Sequence, residues 1–177
     1  MTPCSAALIV DLERPVSEAF SRLNGPGVRV GIDLVVVADV AESLERLGQR
    51  YLQRVFTPHE LSCCRVRPAS DGQYGYSAEA LAARFAAKEA TVKVLRPVGT
   101  RPEWRSIEVR RAGGGWCEIV LSGSAVSLAA EAGIDEWAVS LTHEPTVAGA
   151  VVVGVCGAAN GPMSRARLST GERNDHG

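Results

Sequence analysis

What this chain of 177 residues lacks narrows its function before any motif is read. Net charge is nearly absent: 19 Lys and Arg stand against 20 Asp and Glu, a formal −1. That balance argues against general nucleic-acid binding, and any electrostatic partner must be met by a local patch. No apolar run approaches the roughly 18 to 20 residues that cross a bilayer. The opening "MTPCSAALIVDLERP" has no basic segment leading into a long apolar core, so neither membrane insertion nor secretion is expected. A cysteine framework is missing too: five is an odd number, and adjacent Cys63 and Cys64 suit neither a disulfide scaffold nor a CxxC knuckle, which points to a reducing cytoplasm. Internal repeats are also absent. What is present, 46% hydrophobic and 22% charged residues, is the composition of one soluble core.

The chain divides into an N-terminal extension, residues 1–27, a domain over 28–157, and a polar tail over 158–177 expected to be disordered. The extension holds a possible helix, "VSEAFSRL", and ends in the turn-forming "NGPG". From Val28, "VRVGIDLVVV" reads as a largely buried strand with Asp33 near its middle. "DVAESLERLGQRYLQRVF" predicts one amphipathic helix with Leu44, Leu47, Tyr51 and Val55 on its apolar face. Arg46, Arg50 and Arg54 form a second, basic stripe on it. Thr57 and Pro58 open a short helix, "PHELSCC", and "RPASDGQYGYS" is a loop. A longer helix runs from about Ser77 to just before Pro97. Four strands follow, "WRSIEVRR", "GWCEIVLSG", "EWAVSLTHE" and "VAGAVVVGVC", with a short helix "SAVSLAAEAG" among them.

The polar residues within these elements admit two readings each. Glu89 and Lys93 stand one turn apart in "RFAAKEATVKVL", with Phe85 a turn earlier. They are either a solvated pair contributing about 0.2 to 0.5 kcal/mol or part of a site that handles phosphate and metal. Asp33 shifts the balance, because an acid within a Val/Ile/Leu strand costs free energy unless it is paired or holds a cation. Asp33 and Glu89, with phosphate oxygens and water, would form the oxygen shell that Mg²⁺ prefers, and Lys93 would then neutralise phosphate charge or move a proton. Otherwise Asp33 caps a turn. His143, in "VSLTHEP", follows a strand where a side chain can point off a sheet edge. The arginine stripe is either a wet helix face or a docking surface for an acidic partner helix.

Together "GID" at 31–33, "RFAAKEATVK" at 84–93, "WRSIEV" at 104–109 and "VSLTHEPTVAGAVVV" at 139–153 resemble the holo-acyl carrier protein synthase family, the short-chain type of 4′-phosphopantetheinyl transferase, over about residues 28–155. The resemblance implies an α+β fold, a small antiparallel sheet packed on helices, assembled as a homotrimer with the site between subunits. It implies Asp33 and Glu89 as Mg²⁺ ligands against the diphosphate of coenzyme A, Lys93 beside the reacting phosphate, and Arg84 and Lys88 near phosphate or in structural pairing. It brings His143 to the coenzyme A phosphates from a neighbouring subunit. The reaction it implies moves phosphopantetheine to a serine of an acyl carrier protein and releases adenosine 3′,5′-bisphosphate. Glu89, Lys93 and His143 are then the catalytic residues, with Glu89 or a metal-bound water taking the proton. Arg46, Arg50 and Arg54 are the candidates for gripping the acidic carrier helix.

Two departures from the family pattern matter. Six positions after Asp33, where relatives usually carry a basic residue that grips the carrier, stands Asp39. In "GGGWCEIVLSG" no proline follows the glycines, where relatives often have a Gly-Lys/Arg-Pro turn. Reversing the sign at position 39 should weaken docking of an acidic carrier or redirect the enzyme to an unusual one. Two alternatives follow: a homologue that binds coenzyme A with impaired carrier docking, and another Mg²⁺-dependent phosphotransferase or hydrolase built on the same acids.

Overall fold

The computed structural model describes residues 27–66 and 75–156. The possible helix "VSEAFSRL" and the polar tail lie outside them. Strand β1 (Val28–Val36) opens the fold. It pairs antiparallel with β7 (Val147–Cys156), which pairs on its other side with β6 (Ile134–His143). The sheet order is therefore β1-β7-β6, with β7 central and two free edges. Between β1 and β6 the chain forms α1 (Val37–Leu47), α2 (Gln49–Val55), α3 (Pro58–Cys63), a short pairing of β2 (Arg65–Val66) with β3 (Gly75–Tyr76), and the long helix α4 (Ala78–Leu95). A 3₁₀ turn (Trp104–Ser106), the hairpin β4 (Ile107–Arg111) and β5 (Cys117–Leu121), and α5 (Gly123–Glu131) complete it. This is the expected α+β class.

Helix α4 is the axis of the molecule. Ser77 caps it, accepting from the Ala80 N–H at 3.0 Å, and Arg96 ends it in a left-handed conformation ahead of Pro97. Its alanines are explained by its neighbours: Ala82, Ala83, Ala86, Ala87 and Ala90 are each at most 1% exposed, because small side chains let other elements approach it from several sides. Its C-terminal half packs with β4, β5, α5 and the sheet in one core cluster, its N-terminal half with α1, α2 and α3 in a second. Gly31 of β1 and Gly154 of β7 bring the sheet unusually near. A Cβ at Gly31 would overlap the Ala90 carbonyl, and one at Gly154 would lie 2.7 Å from Val94.

The structure corrects two expectations. β1 is buried on one face only: Val28, Val30, Ile32, Leu34 and Val36 alternate outward, between 42% and 71% exposed. They share the outer face with Val147 and Val151 of β7. The single amphipathic helix is two, broken at Gly48, whose φ of 51° and ψ of −128° suit glycine alone. The break turns Leu52 and Val55 into the core and leaves Leu47 out at 53% exposed. The basic stripe is therefore not continuous. Arg46 ends α1 and pairs with Glu42 at 3.2 Å, while Arg50 and Arg54 belong to α2.

Candidate active site

Asp33 lies on the sheet face that α4 covers, since its neighbours in β1 alternate outward. The close packing at Gly31 brings α4 near enough for Lys93 to reach the strand. The Lys93 ammonium donates to the Ile32 carbonyl and pairs with the Asp33 carboxylate, both at 2.8 Å. The Asp33 side chain keeps 17% exposure and that of Lys93 51%. Glu89, one turn before Lys93 on the same side of α4, lines an open cleft of about 490 Å³ with Asp33, Asp39, Ser43, Tyr51 and Phe85. The cleft thus gathers three carboxylates, Asp33, Asp39 and Glu89, and, beside Asp33, one ammonium. Phe85 is buttressed by Trp104, the ring centroids 5.2 Å apart edge to face.

Among the described residues no group of three or more His, Cys, Asp or Glu is close enough to hold a metal ion. The oxygen donors that line the cleft are the carboxylates of Asp33, Glu89 and Asp39, of which Asp33 and Glu89 are the expected pair. Two hard oxygen donors in an open, wet cleft fit an ion that takes one or two protein carboxylates and keeps several waters.

His143 does not join this group. It ends β6, the edge opposite β1, and pairs with Ala148, which pairs in turn with Val35. Two strand spacings and two residues along the sheet put its Cα roughly 12 Å from that of Asp33. Its charge is felt at the N-terminal end of α4. There Glu79 is held below the usual carboxylate range by its own backbone N–H and the Ser77 hydroxyl, with His143 adding to the effect. Glu79 lies ten residues before Glu89, about 15 Å along the helix.

Of the two roles expected for Lys88, phosphate contact or structural pairing, the structure shows the second. Lys88 is wholly buried, paired with the equally buried Glu60 at 2.9 Å. Its remaining donors go to the carbonyls of Trp104, at 2.9 Å, and Ile107. Glu60 also accepts from the backbone N–H groups of Thr57 and Val109, so the carboxylate is both half of the Thr57 capping box and the counter-ion of α4. Burial pushes Lys88 below its ordinary range, and Glu60 opposes that push. Arg84 is half-buried; one of its N–H groups donates to the Ala80 carbonyl at 3.0 Å. Its Nε is buried with no hydrogen-bond partner among the described residues.

Sequence reasoning missed Glu60, which reads as an ordinary cap residue; its only signal was the Thr-x-x-Glu box. It missed Tyr51 as a cleft residue because aromatic periodicity reads as core. It also did not foresee that Arg54 lines a groove with Arg101, Trp104 and Arg105.

The profile of the 4′-phosphopantetheinyl transferase superfamily matches residues 29–150. Among individual proteins, the chain is 42% identical over 127 residues to the holo-[acyl-carrier-protein] synthase of Desulforudis audaxviator, covering 71% of this chain and 92% of that one. It is also 42% identical over 138 residues to that of Chloroflexus aurantiacus, covering 72% and 97%. The fold is similar to that of the Chronobacterium ammoniagenes synthase in its coenzyme A complex, with a TM-score of 0.59 and 32% identity over 72% of this chain and 96% of the other. The Helicobacter pylori synthase in complex with coenzyme A gives 0.58 and 26% over 71% and 99%.

Proposed function

The chain belongs to the 4′-phosphopantetheinyl transferase superfamily, and on that footing we propose that its cleft moves phosphopantetheine from coenzyme A to a serine of an apo acyl carrier protein. The observation that carries this reading is the convergence of Asp33, Glu89 and Lys93 around one open cleft. Asp33 and Glu89 would hold Mg²⁺, which would neutralise diphosphate charge. The serine oxygen attacks the β-phosphorus, the bond from that phosphorus to the bridging oxygen breaks, and adenosine 3′,5′-bisphosphate leaves. Lys93 is half exposed and, among the described residues, tethered only to β1, so its ammonium can turn toward the phosphate oxygens as charge spreads over them. The serine proton goes to the Glu89 carboxylate or to water. Arg84, with an unused donor, is a candidate for a coenzyme A phosphate.

The position of His143 supports an assembly in which copies share the site, and the homotrimer is the form that the family resemblance implies. The chain holds its own His143 on the far edge from Asp33, while seven aliphatic side chains on the outer sheet face stand bare. A second copy covering that face would bury them and can bring His143 of the partner subunit to the cleft. A site that consumes coenzyme A and carrier protein belongs in the cytoplasm. No helix among the described residues is long and apolar enough to cross a membrane.

The test is mass spectrometry of apo carrier proteins after incubation with the full chain, coenzyme A and Mg²⁺. At least one carrier should gain a single phosphopantetheine group, and Glu89→Gln should lower the rate by about 100-fold or more. Unchanged turnover in that variant would remove the metal assignment. Asp39 at the cleft rim favours one second reading, a homologue that binds coenzyme A but docks no carrier; calorimetry would then show binding without transfer to any carrier.

A further inference from the structure

The break at Gly48 separates two helices whose solvent faces carry opposite charge. On α1, Asp39, Glu42 and Glu45 repeat every third residue and are all exposed. Arg46 offsets one of them by pairing with Glu42, which leaves two acids uncompensated on the helix. Asp39 has no ion-pair partner among the described residues and lines the catalytic cleft beside Asp33 and Glu89. Past Gly48 the sign reverses. Helix α2 contains no acid; Arg50 and Arg54 are exposed, and Arg54 lines a groove of about 360 Å³ with Arg101, Trp104 and Arg105, Glu103 being its only acid.

Cleft and groove are next to each other. Phe85 lines the cleft, Trp104 lines the groove, and the two rings are in contact. Tyr51, in the cleft, and Arg54, in the groove, are three residues apart on α2. A partner presenting a serine to Glu89 therefore meets negative potential at the α1 rim and positive potential about one helical turn beyond. Clustered charge of this kind acts on encounter and register more than on final affinity, and like charges brought together reject the wrong partner.

We propose that this chain selects a carrier of mixed charge, one with a basic residue close to the acceptor serine, facing Asp39, and acidic residues farther out, facing Arg54, Arg101 and Arg105. The proposal rests on the transferase reading above. A uniformly acidic carrier satisfies the groove and is repelled at the rim.

The test compares an apo carrier that is acidic around its serine with a variant of it in which the acid one turn after the serine is changed to lysine. Full-length enzyme, saturating coenzyme A and Mg²⁺ are used, and kcat and KM are measured for each carrier. The enzyme should prefer the lysine variant by about fivefold, through KM and with kcat unchanged. Asp39→Arg should reverse that preference, Arg54→Glu should lower kcat/KM on both carriers, and added salt should erase the difference. Equal kcat/KM for the two carriers, or a preference that Asp39→Arg leaves in place, overturns the proposal while the transferase reading stands. Failure to modify either carrier, with coenzyme A still bound, removes the transferase reading and the selectivity with it.

Discussion

Lys88 and Glu89 are neighbours in sequence with opposite fates, because successive residues of a helix point about 100° apart. Lys88 turns into the core and Glu89 into the cleft. Truncating one partner of a buried pair strands the other, so Lys88→Met should cost about 3–5 kcal/mol. Adding Glu60→Gln, which removes the stranded charge but keeps an acceptor for the Thr57 and Val109 N–H groups, should restore part of that loss, and denaturant titration of the single and double variants measures the coupling. Cys64 supplies a pH signature. Burial raises its thiol to about 11 from an ordinary 9.0. The folded state then keeps a proton that the unfolded state releases, so this contribution is intact below about pH 9 and is lost as pH rises toward 11. Thermal melts across that range should fall, and Cys64→Ala should flatten the slope. At this scale the sequence was legible where chemistry demanded a residue type: Asp33 in an aliphatic strand and Glu89 a turn before Lys93 both reached the cleft. It left Lys88 undecided, since a lysine next to a candidate ligand looks the same whether its ammonium faces phosphate or a buried glutamate 28 residues earlier in the chain.

Among the elements, the contact between β1 and α4 sets the site. Gly31 admits the helix backbone, and Lys93 reaches Asp33 because of that closeness. Gly31→Ala would force a methyl against a carbonyl that cannot swing aside, and should cost about 1–3 kcal/mol or more. Turnover should drop beyond what the lost folded fraction explains, which assays at low temperature can separate from unfolding. Element types and most boundaries followed from local rules: the Ser77 cap, the Thr57-Pro58 start and the stop before Pro97 all stand in the structure. The broken helix did not follow, because apolar spacing continues through Gly48 and only a backbone angle interrupts it. Nor did the exposed face of β1. A run such as "VRVGIDLVVV" reads the same whether its second face meets its own helix or another copy of the chain.

For the whole molecule, the wide separation of His143 from Glu89 makes a prediction about mixtures. If each site takes His143 of the partner subunit, Glu89→Gln and His143→Ala are inactive alone but complement each other. Random mixing then gives about a quarter of the sites both side chains from unaltered positions. Activity regained on co-refolding the two variants checks this, and none regained would confine each site to one chain. If copies join through the bare sheet face, Leu34→Glu there should lower the mass in solution, read by light scattering, and remove transfer with it.

If that face joins copies of the chain, its seven exposed aliphatic side chains also tie output to abundance. An assembly held together there comes apart on dilution, and the melting temperature follows protomer concentration. Turnover per molecule then climbs with the amount of enzyme until every copy has found its neighbours, so a cell holding few copies has less catalyst than a head count suggests.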